Sequence, residues 1–238
     1  MTHELTHIDL FSGIGGFALA ARWAGFRTVC FSEVDPYAGA VLRKHWPDVP
    51  NLGDITKADF EPYADATVLT GGWPCQPWSN AGKKLGTNDA RHLWPSMLQA
   101  IRTTRPAWVV GENVAGIIGM DFGNMLSDLE SEGYSAQPFI IPAHSIGAPI
   151  ERNRVFTVAC SNEIHGKARV GNSSETALQP WPRTKSEAVW LQAAGEAARV
   201  GDGIPEGPYL GRVGAIGNAI VPQVAFQILK AIADLETK

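Results

Sequence analysis

The residues best suited to chemistry lie in the stretch Gly71-Gly72-Trp73-Pro74-Cys75-Gln76-Pro77-Trp78-Ser79. Cys75 stands between two prolines, which restrict both their own φ and the conformation of the residue before them. The short apolar, β-branched run Ala66 to Thr70 precedes it, and Gly71-Gly72 ends that run. This is the pattern of a buried strand passing into a loop. A thiol held at the end of a buried strand is presented as a nucleophile, provided its surroundings favour the thiolate over a thiol of pKa about 8.5. A buried structural cysteine in a tight turn is the alternative.

The elements that would hold this loop can be read on both sides of it. His7 to Phe11 predicts a strand, Ser12 to Phe17 a glycine-rich turn, and Ala18 to Trp23 a helix stopped by Gly25. Strand, glycine turn and helix form the first crossover of a nucleotide-binding α/β domain, where a ligand approaches the backbone at the helix N-terminus. The spacing Gly13-x-Gly15-Gly16 differs from the dinucleotide fingerprint. Thr28 to Phe31 predicts a second strand, and Glu33 at its end is placed to accept hydrogen bonds from ribose hydroxyls. Pro36 to His45 reads as a helix, and Leu52 to Thr56 as a short strand end in which Asp54 could accept from an adenine amino group and Ile55 pack on its ring. Further on, Leu93 to Arg102 and Asn124 to Glu132 have helical spacing, and Pro106 to Gly111 is a buried strand leading into Glu112-Asn113-Val114. Pro138 to Ile141 and Val155 to Cys160 are strands too close in sequence for a crossover helix, so they should pair antiparallel. Ile220 to Leu235 is an apolar-faced helix introduced by Gly217-Asn218.

Composition sets outer bounds. Of the 238 residues 45% are apolar and 18% charged, the profile of an ordinary globular protein with one substantial core. No apolar run reaches membrane-spanning length and no basic-then-apolar leader is present, so the expectation is a cytoplasmic protein with no membrane partner. The three cysteines lack metal spacing; Cys30 and Cys160 lie in strand-like runs and read as core residues, in a reducing compartment with no metal site. Net charge is −4, which argues against coating long stretches of nucleic acid. From Glu151 to Arg199, however, seven basic residues stand against five acidic ones.

Pro74-Cys75-Gln76-Pro77 after two glycines resembles the nucleophile loop of the C5-cytosine DNA methyltransferases. Four further stretches resemble the same family's motifs, in family order. Asp9 to Phe17 looks like its cofactor loop and Glu112-Asn113-Val114 its acidic motif. Arg152-Asn153-Arg154 looks like its paired arginines, and Gly217-Asn218-Ala219-Ile220-Val221-Pro222 its C-terminal motif. The resemblance covers residues 7 to 160 and 211 to 238. It implies a Rossmann-like α/β fold with a mostly parallel seven-stranded sheet, an antiparallel terminal hairpin and helices on both faces. It also implies S-adenosyl-L-methionine as cofactor and double-stranded DNA as partner. The catalytic residues implied are Cys75 as nucleophile, Glu112 as the carboxyl group on cytosine N3, and Arg154 with Arg152 on the flipped nucleotide. The cofactor side implied is Asp9, Phe11, Gly13, Ile14, Gly15, Gly16, Glu33, Asp54, Ile55, Pro74, Asn218 and Ala219. The chemistry explains why such a set is needed. Carbon 5 of cytosine becomes nucleophilic once a thiolate has added at carbon 6, and protonation or hydrogen bonding at N3 eases that addition. The base must first leave the duplex, at a cost of roughly a few kcal/mol.

Two departures from the family pattern stand out. Ile150 occupies the position two before the first arginine, where the family usually has glutamine, and the stretch 161–205 is short for a target-recognition domain. The expected organisation is a cofactor-binding and catalytic domain over 1–160, a reduced recognition region over 161–205, and a returning C-terminal segment over 206–238. Arg183 and Lys185 could reach bases or phosphates, Lys83, Lys84 and Arg91 could meet phosphates or form a solvated loop, and Trp181 and Trp190 read as core or lid residues. Such a chain would be a minimal enzyme of phage or bacterial type with a short or relaxed site, or one completed by a partner chain. RNA methylation, known for one branch of the family, and a catalytically idle binding partner are the alternatives. Restriction-modification, phage defence evasion and epigenetic marking would all use the same residues. Cys75→Ala should abolish methyl transfer and leave cofactor binding intact, which a transfer assay paired with cofactor calorimetry would check.

Overall fold

The first strand, β1 (Thr6–Leu10), is buried along nearly its whole length, as expected for the centre of a parallel sheet. The computed structural model describes residues 4–74, 93–119, 122–146, 152–163 and 219–237. Cys75, Asn218, Lys83, Lys84, Arg91, Ile150, Trp181, Arg183, Lys185, Trp190 and nearly all of the region 161–205 lie outside the described residues.

After β1 come α1 (Gly16–Ala24), β2 (Arg27–Ser32) and α2 (Pro36–His45). They are followed by β3 (Val68–Gly71), α3 (Trp94–Thr104), β4 (Trp108–Val114) and α4 (Phe122–Ser131), then β5 (Tyr134–Pro142), β6 (Asn153–Ser161) and α5 (Pro222–Glu236). The helix boundaries have local causes. Gly15 and Gly25 flank α1 in left-handed conformation, with φ of 84° and 93°, and the Gly25 amide closes the last turn on Ala21 and Arg22. Asp35 caps α2, its Oδ1 accepting from the Ala38 amide at 2.8 Å, and Pro36 occupies the first helical position.

The described residues form one sheet in the order β2-β1-β3-β4-β6-β5. The first four strands are parallel, and β6 runs antiparallel to both β4 and β5. The expected hairpin is therefore present, but the sheet has six strands among the described residues where seven were expected. Beyond β2 the edge carries a single parallel bridge, Phe31 to Asn51, and the expected strand end at Leu52 to Thr56 is irregular chain passing into a turn at Ile55. The reason is local: the Asn51 side chain and Gly53, at φ +74°, fold the chain back toward β2 instead of extending it. Strand β4 continues through Glu112-Asn113-Val114, because β6 pairs with it as far as Val114 opposite Arg154.

Helices cover both faces. Ile8, Leu10, Leu69 and Val109 pack with Met97 and Ile101 of α3 and Met125 and Leu129 of α4. Val68, Val110 and Phe156 pack on the opposite face with Phe17 and Ala20 of α1 and with Phe226 and Leu229 of α5. Cys30 and Cys160 are buried free thiols, as the strand pattern implied. No helix among the described residues is long and apolar enough to cross a membrane, and no cluster of His, Cys, Asp and Glu that could hold a metal occurs among them.

One polar chain runs through the centre of the sheet. His7, with no exposed surface, contacts Thr28 Oγ1 through Nδ1 at 3.0 Å and Thr70 Oγ1 through Nε2 at 2.8 Å, and Thr70 in turn donates to Asp9 Oδ1 at 3.0 Å. Burial pushes the His7 imidazole down to about 3, whereas the unfolded chain retains an ordinary value near 6.5. The folded state thus favours neutral His7, and the unfolded state binds more protons between these two values. His7 contributes stability that is full above pH 6.5 and is lost as pH falls toward 3. The stability of wild type relative to His7→Gln should accordingly decline across that window, by at most about 1.4 kcal/mol per pH unit. Denaturant melts of both proteins at several pH values would check it.

Candidate active site

At the C-terminal ends of the parallel strands the chain leaves one large cleft of about 720 Å³. Such a position, outside the carboxyl ends of parallel strands, is where α/β sheets bind ligands. Of the residues singled out in the sequence, Phe11, Gly13, Ile14, Gly16, Glu33, Asp54, Ile55, Pro74, Glu112, Arg152, Arg154 and Ala219 all line it.

One side is built by the turn after β1. Phe11 adopts φ of +52°, a left-handed conformation that costs a non-glycine residue about 1–2 kcal/mol. The turn is pinned by Ser12, whose Oγ donates to the Asp9 carbonyl at 2.6 Å and whose carbonyl accepts from the Gly15 amide at 2.9 Å. The Glu33 carboxylate ties this turn to the end of β2. Its Oε2 accepts from the Gly13 amide at 2.6 Å and its Oε1 from the Asp35 amide at 2.7 Å. Each oxygen keeps a lone pair for a second donor in the cleft. Asp54 is held by its own turn, with Oδ1 accepting from the Thr56 amide and hydroxyl and Oδ2 3.2 Å from Lys57.

Two residues assigned to ligand contact have other roles. Asp9 has no exposed surface and does not line the cleft. Alternation along β1 turns its carboxyl with His7 toward the face covered by α1. There burial pushes its pKa well up, against the opposing Thr70 hydroxyl and Ala18 amide. Gly15 is also absent from the cleft. A Cβ there would lie 2.6 Å from the Trp46 ring, so its role is the close approach of the turn to α2. Gly16 does reach the cleft, and an added Cβ would meet Ile220 Cγ1 at 2.8 Å. The C-terminal segment is thereby seated directly on the glycine turn.

The other side of the cleft is charged. Glu112 is 8% exposed, and its Oε1 lies 2.9 Å from Arg154 Nε. Burial raises the Glu112 pKa, while the Arg154 and Arg152 charges pull it back. Arg152 donates to the Ala219 carbonyl at 2.9 Å, and burial, with the charge of Arg154, lowers its own pKa. Asn113 donates from Nδ2 to the Trp73 carbonyl at 3.1 Å. Pro74, immediately before Cys75, is in the cleft wall.

Sequence reasoning missed Asn51, which organises the Glu33 side. Its Oδ1 accepts from the Glu33 and Gly53 amides, and its Nδ2 donates to the Glu33 carbonyl, all within 3.2 Å. An asparagine before a glycine turn was the available signal. Val34, which follows Glu33 and is 69% exposed in the cleft, and Ser32, which donates to the Gly53 carbonyl, carried no signal.

The family described as C-5 cytosine-specific DNA methylase matches residues 5–197. The Type II methyltransferase M.Eco47II of Escherichia coli is 36% identical over 170 residues, covering 67% of this chain and 40% of that protein. M.NgoMIV of Neisseria gonorrhoeae is 33% identical over 189 residues, covering 77% of this chain and 57% of its own length. The chain thus spans roughly half or less of the curated relatives it matches. Among solved structures, a mutant DNMT2 of Spodoptera frugiperda superposes with a TM-score of 0.67 at 16% identity, over 95% of this chain and 99% of that one. A putative DNA modification methyltransferase from an E. coli prophage gives 0.60 at 24% identity, over 74% and 51%. These structural likenesses establish the fold, and the sequence match over most of the chain establishes the lineage: the chain belongs to the C-5 cytosine-specific DNA methylase family.

Proposed function

We propose that this chain transfers a methyl group from S-adenosyl-L-methionine to carbon 5 of a flipped-out cytosine in DNA. The observation that carries the reading is the single cleft that joins the Phe11–Glu33 side to a buried carboxyl flanked by two arginines, with Pro74 in its wall. The residues present fit the cofactor. Phe11 and Ile55 offer apolar surface to a flat ring, Glu33 retains acceptor capacity for hydroxyls, and the backbone at Gly13 is open to close approach. When bound, S-adenosyl-L-methionine supplies an electrophilic methyl group on a positively charged sulfur.

Cys75 adds to carbon 6 as the thiolate, and the displaced electron pair of the ring makes carbon 5 nucleophilic. Glu112 delivers a proton or hydrogen bond to N3, and burial suits it to that task by keeping the protonated form available to higher pH. Arg154 holds the Glu112 carboxyl and, with Arg152, offers cationic donors to the base and its phosphate. After transfer, loss of the carbon 5 proton and expulsion of the Cys75 thiolate restore the aromatic ring. Asn218 and Ala219 complete the cofactor wall in this reading. Residues 1–160 and 206–238 form the catalytic domain, and 161–205 read the target, alone or with a partner chain.

The test is methyl transfer from labelled S-adenosyl-L-methionine to unmethylated DNA, with RNA as the competing substrate and base-resolution mapping of the product. DNA labelled at cytosine carbon 5 is expected, and label found only in RNA would overturn the DNA assignment. Glu112→Gln should slow transfer about 10²-fold or more with cofactor affinity unchanged. Because the group must be protonated to act, the wild-type rate should also fall as pH rises through its raised pKa. The Gln variant should lack that alkaline limb.

A further inference from the structure

Trp73 lies between the Gly71-Gly72 end of β3 and Pro74, and it is 5% exposed although it belongs to a loop. Its ring fits a notch in β4. A Cβ on Gly111 would stand 2.7 Å from Trp73 Cζ3, closer than a carbon contact allows, and a tight 3.3 Å from Cη2. The absence of a side chain at 111 is what admits the indole. The ring also packs on Trp94, with centroids 5.1 Å apart at 52°, and Trp94 opens α3. Met97, Met125 and Leu129 line the space behind it. The Trp73 main chain is gripped as well, by the Asn113 side chain on its carbonyl. Successive side chains of a strand point to opposite faces. Gly111 and Asn113 therefore hold Trp73 on one face, while Glu112 between them reaches the cleft from the other.

We propose that Trp73 is a positioning residue. Seated in the Gly111 notch and tied by Asn113, it sets the separation between the Glu112 carboxyl and Pro74, and with it the point at which the chain enters Cys75. The proposal rests on the methyl-transfer reading above and adds to it the element that registers the cysteine loop against the carboxyl. It also explains why a glycine occupies the middle of a buried strand, where it would otherwise be unfavourable.

The experiment is a double-mutant cycle of Gly111→Ala and Trp73→Phe in the full chain, read by thermal melting, cofactor affinity and kcat for transfer. Gly111→Ala should lower Tm by about 2–10 °C through overpacking. It should also lower kcat by roughly tenfold or more, as displacement of a reacting group does, with cofactor affinity nearly unchanged. Phenylalanine lacks the outer ring atoms that collide with the new methyl, so adding Trp73→Phe should recover most of both losses. Additive Tm losses would overturn the notch, because independent sites do not compensate one another. Coupled Tm values with kcat unchanged in Gly111→Ala would overturn the positioning role. If wild type transfers no methyl group, the functional reading fails on its own, and the Tm cycle still decides whether Trp73 and Gly111 are registered.

Discussion

The buried ion pair between Glu112 and Arg154 is the contact on which the geometry of this molecule turns. A carboxylate at 8% exposure is expensive to desolvate, and a lone one would neutralise itself by taking up a proton. At 2.9 Å, Arg154 offsets part of that cost and leaves a carboxyl whose pKa is raised but still contested by two cations. The pair forms because β6 runs against its neighbour β4. In the antiparallel register Val114 faces Arg154 and Glu112 faces Phe156, so Arg154 and Glu112 are near neighbours on one face of the sheet. A slip of a single residue would carry the guanidinium to the opposite face. The hairpin is therefore as much a part of the site as the side chains it delivers.

The Phe11–Glu33 side of the cleft relies on backbone amides fixed by a carboxylate. Glu33 accepts from Gly13 across the sheet and from Asp35 along the chain, and Asn51 secures the Glu33 backbone from outside. These contacts help hold Phe11 in a conformation that the isolated chain would avoid. The strained residue and its clamp both line the cleft, and Ile220, seated on Gly16, ties the C-terminal helix to the same turn. Arg152 then links this segment to the charged side through the Ala219 carbonyl. The two halves of the cleft are thereby mechanically joined.

Beneath the cleft, polar groups occupy positions where apolar ones would pack. Thr28, His7, Thr70 and Asp9 form a connected chain across β2, β1 and β3. Burial drives the two titratable members in opposite directions, His7 down and Asp9 up, so both favour their neutral forms. A partly satisfied network of this kind costs stability relative to an apolar core. It adjoins the turn that carries Phe11 through the Asp9 carbonyl, which accepts from Ser12 Oγ.

Much of this was legible in the residues. Strand and helix positions followed from apolar periodicity and from glycine and proline stops, and Pro74, Glu33, Glu112, Arg152 and Arg154, singled out by residue type, all line the cleft. Each of these signals is local: a residue's type, its neighbours and the period of the run decide it. What the sequence could not decide was which way a side chain turns and what it meets. Asp9 looked like part of the ligand contact but alternation buries it with His7, and Gly15 proved to serve Trp46. Asn51 replaced a seventh strand with a single bridge, and Gly111 proved to be the seat of Trp73. These outcomes depend on strand register and on the approach of segments tens of residues apart, and neither is encoded in any short stretch of chain. The sequence by itself determined the chemistry available; the tertiary structure alone decided which groups face the cleft and which hold them there.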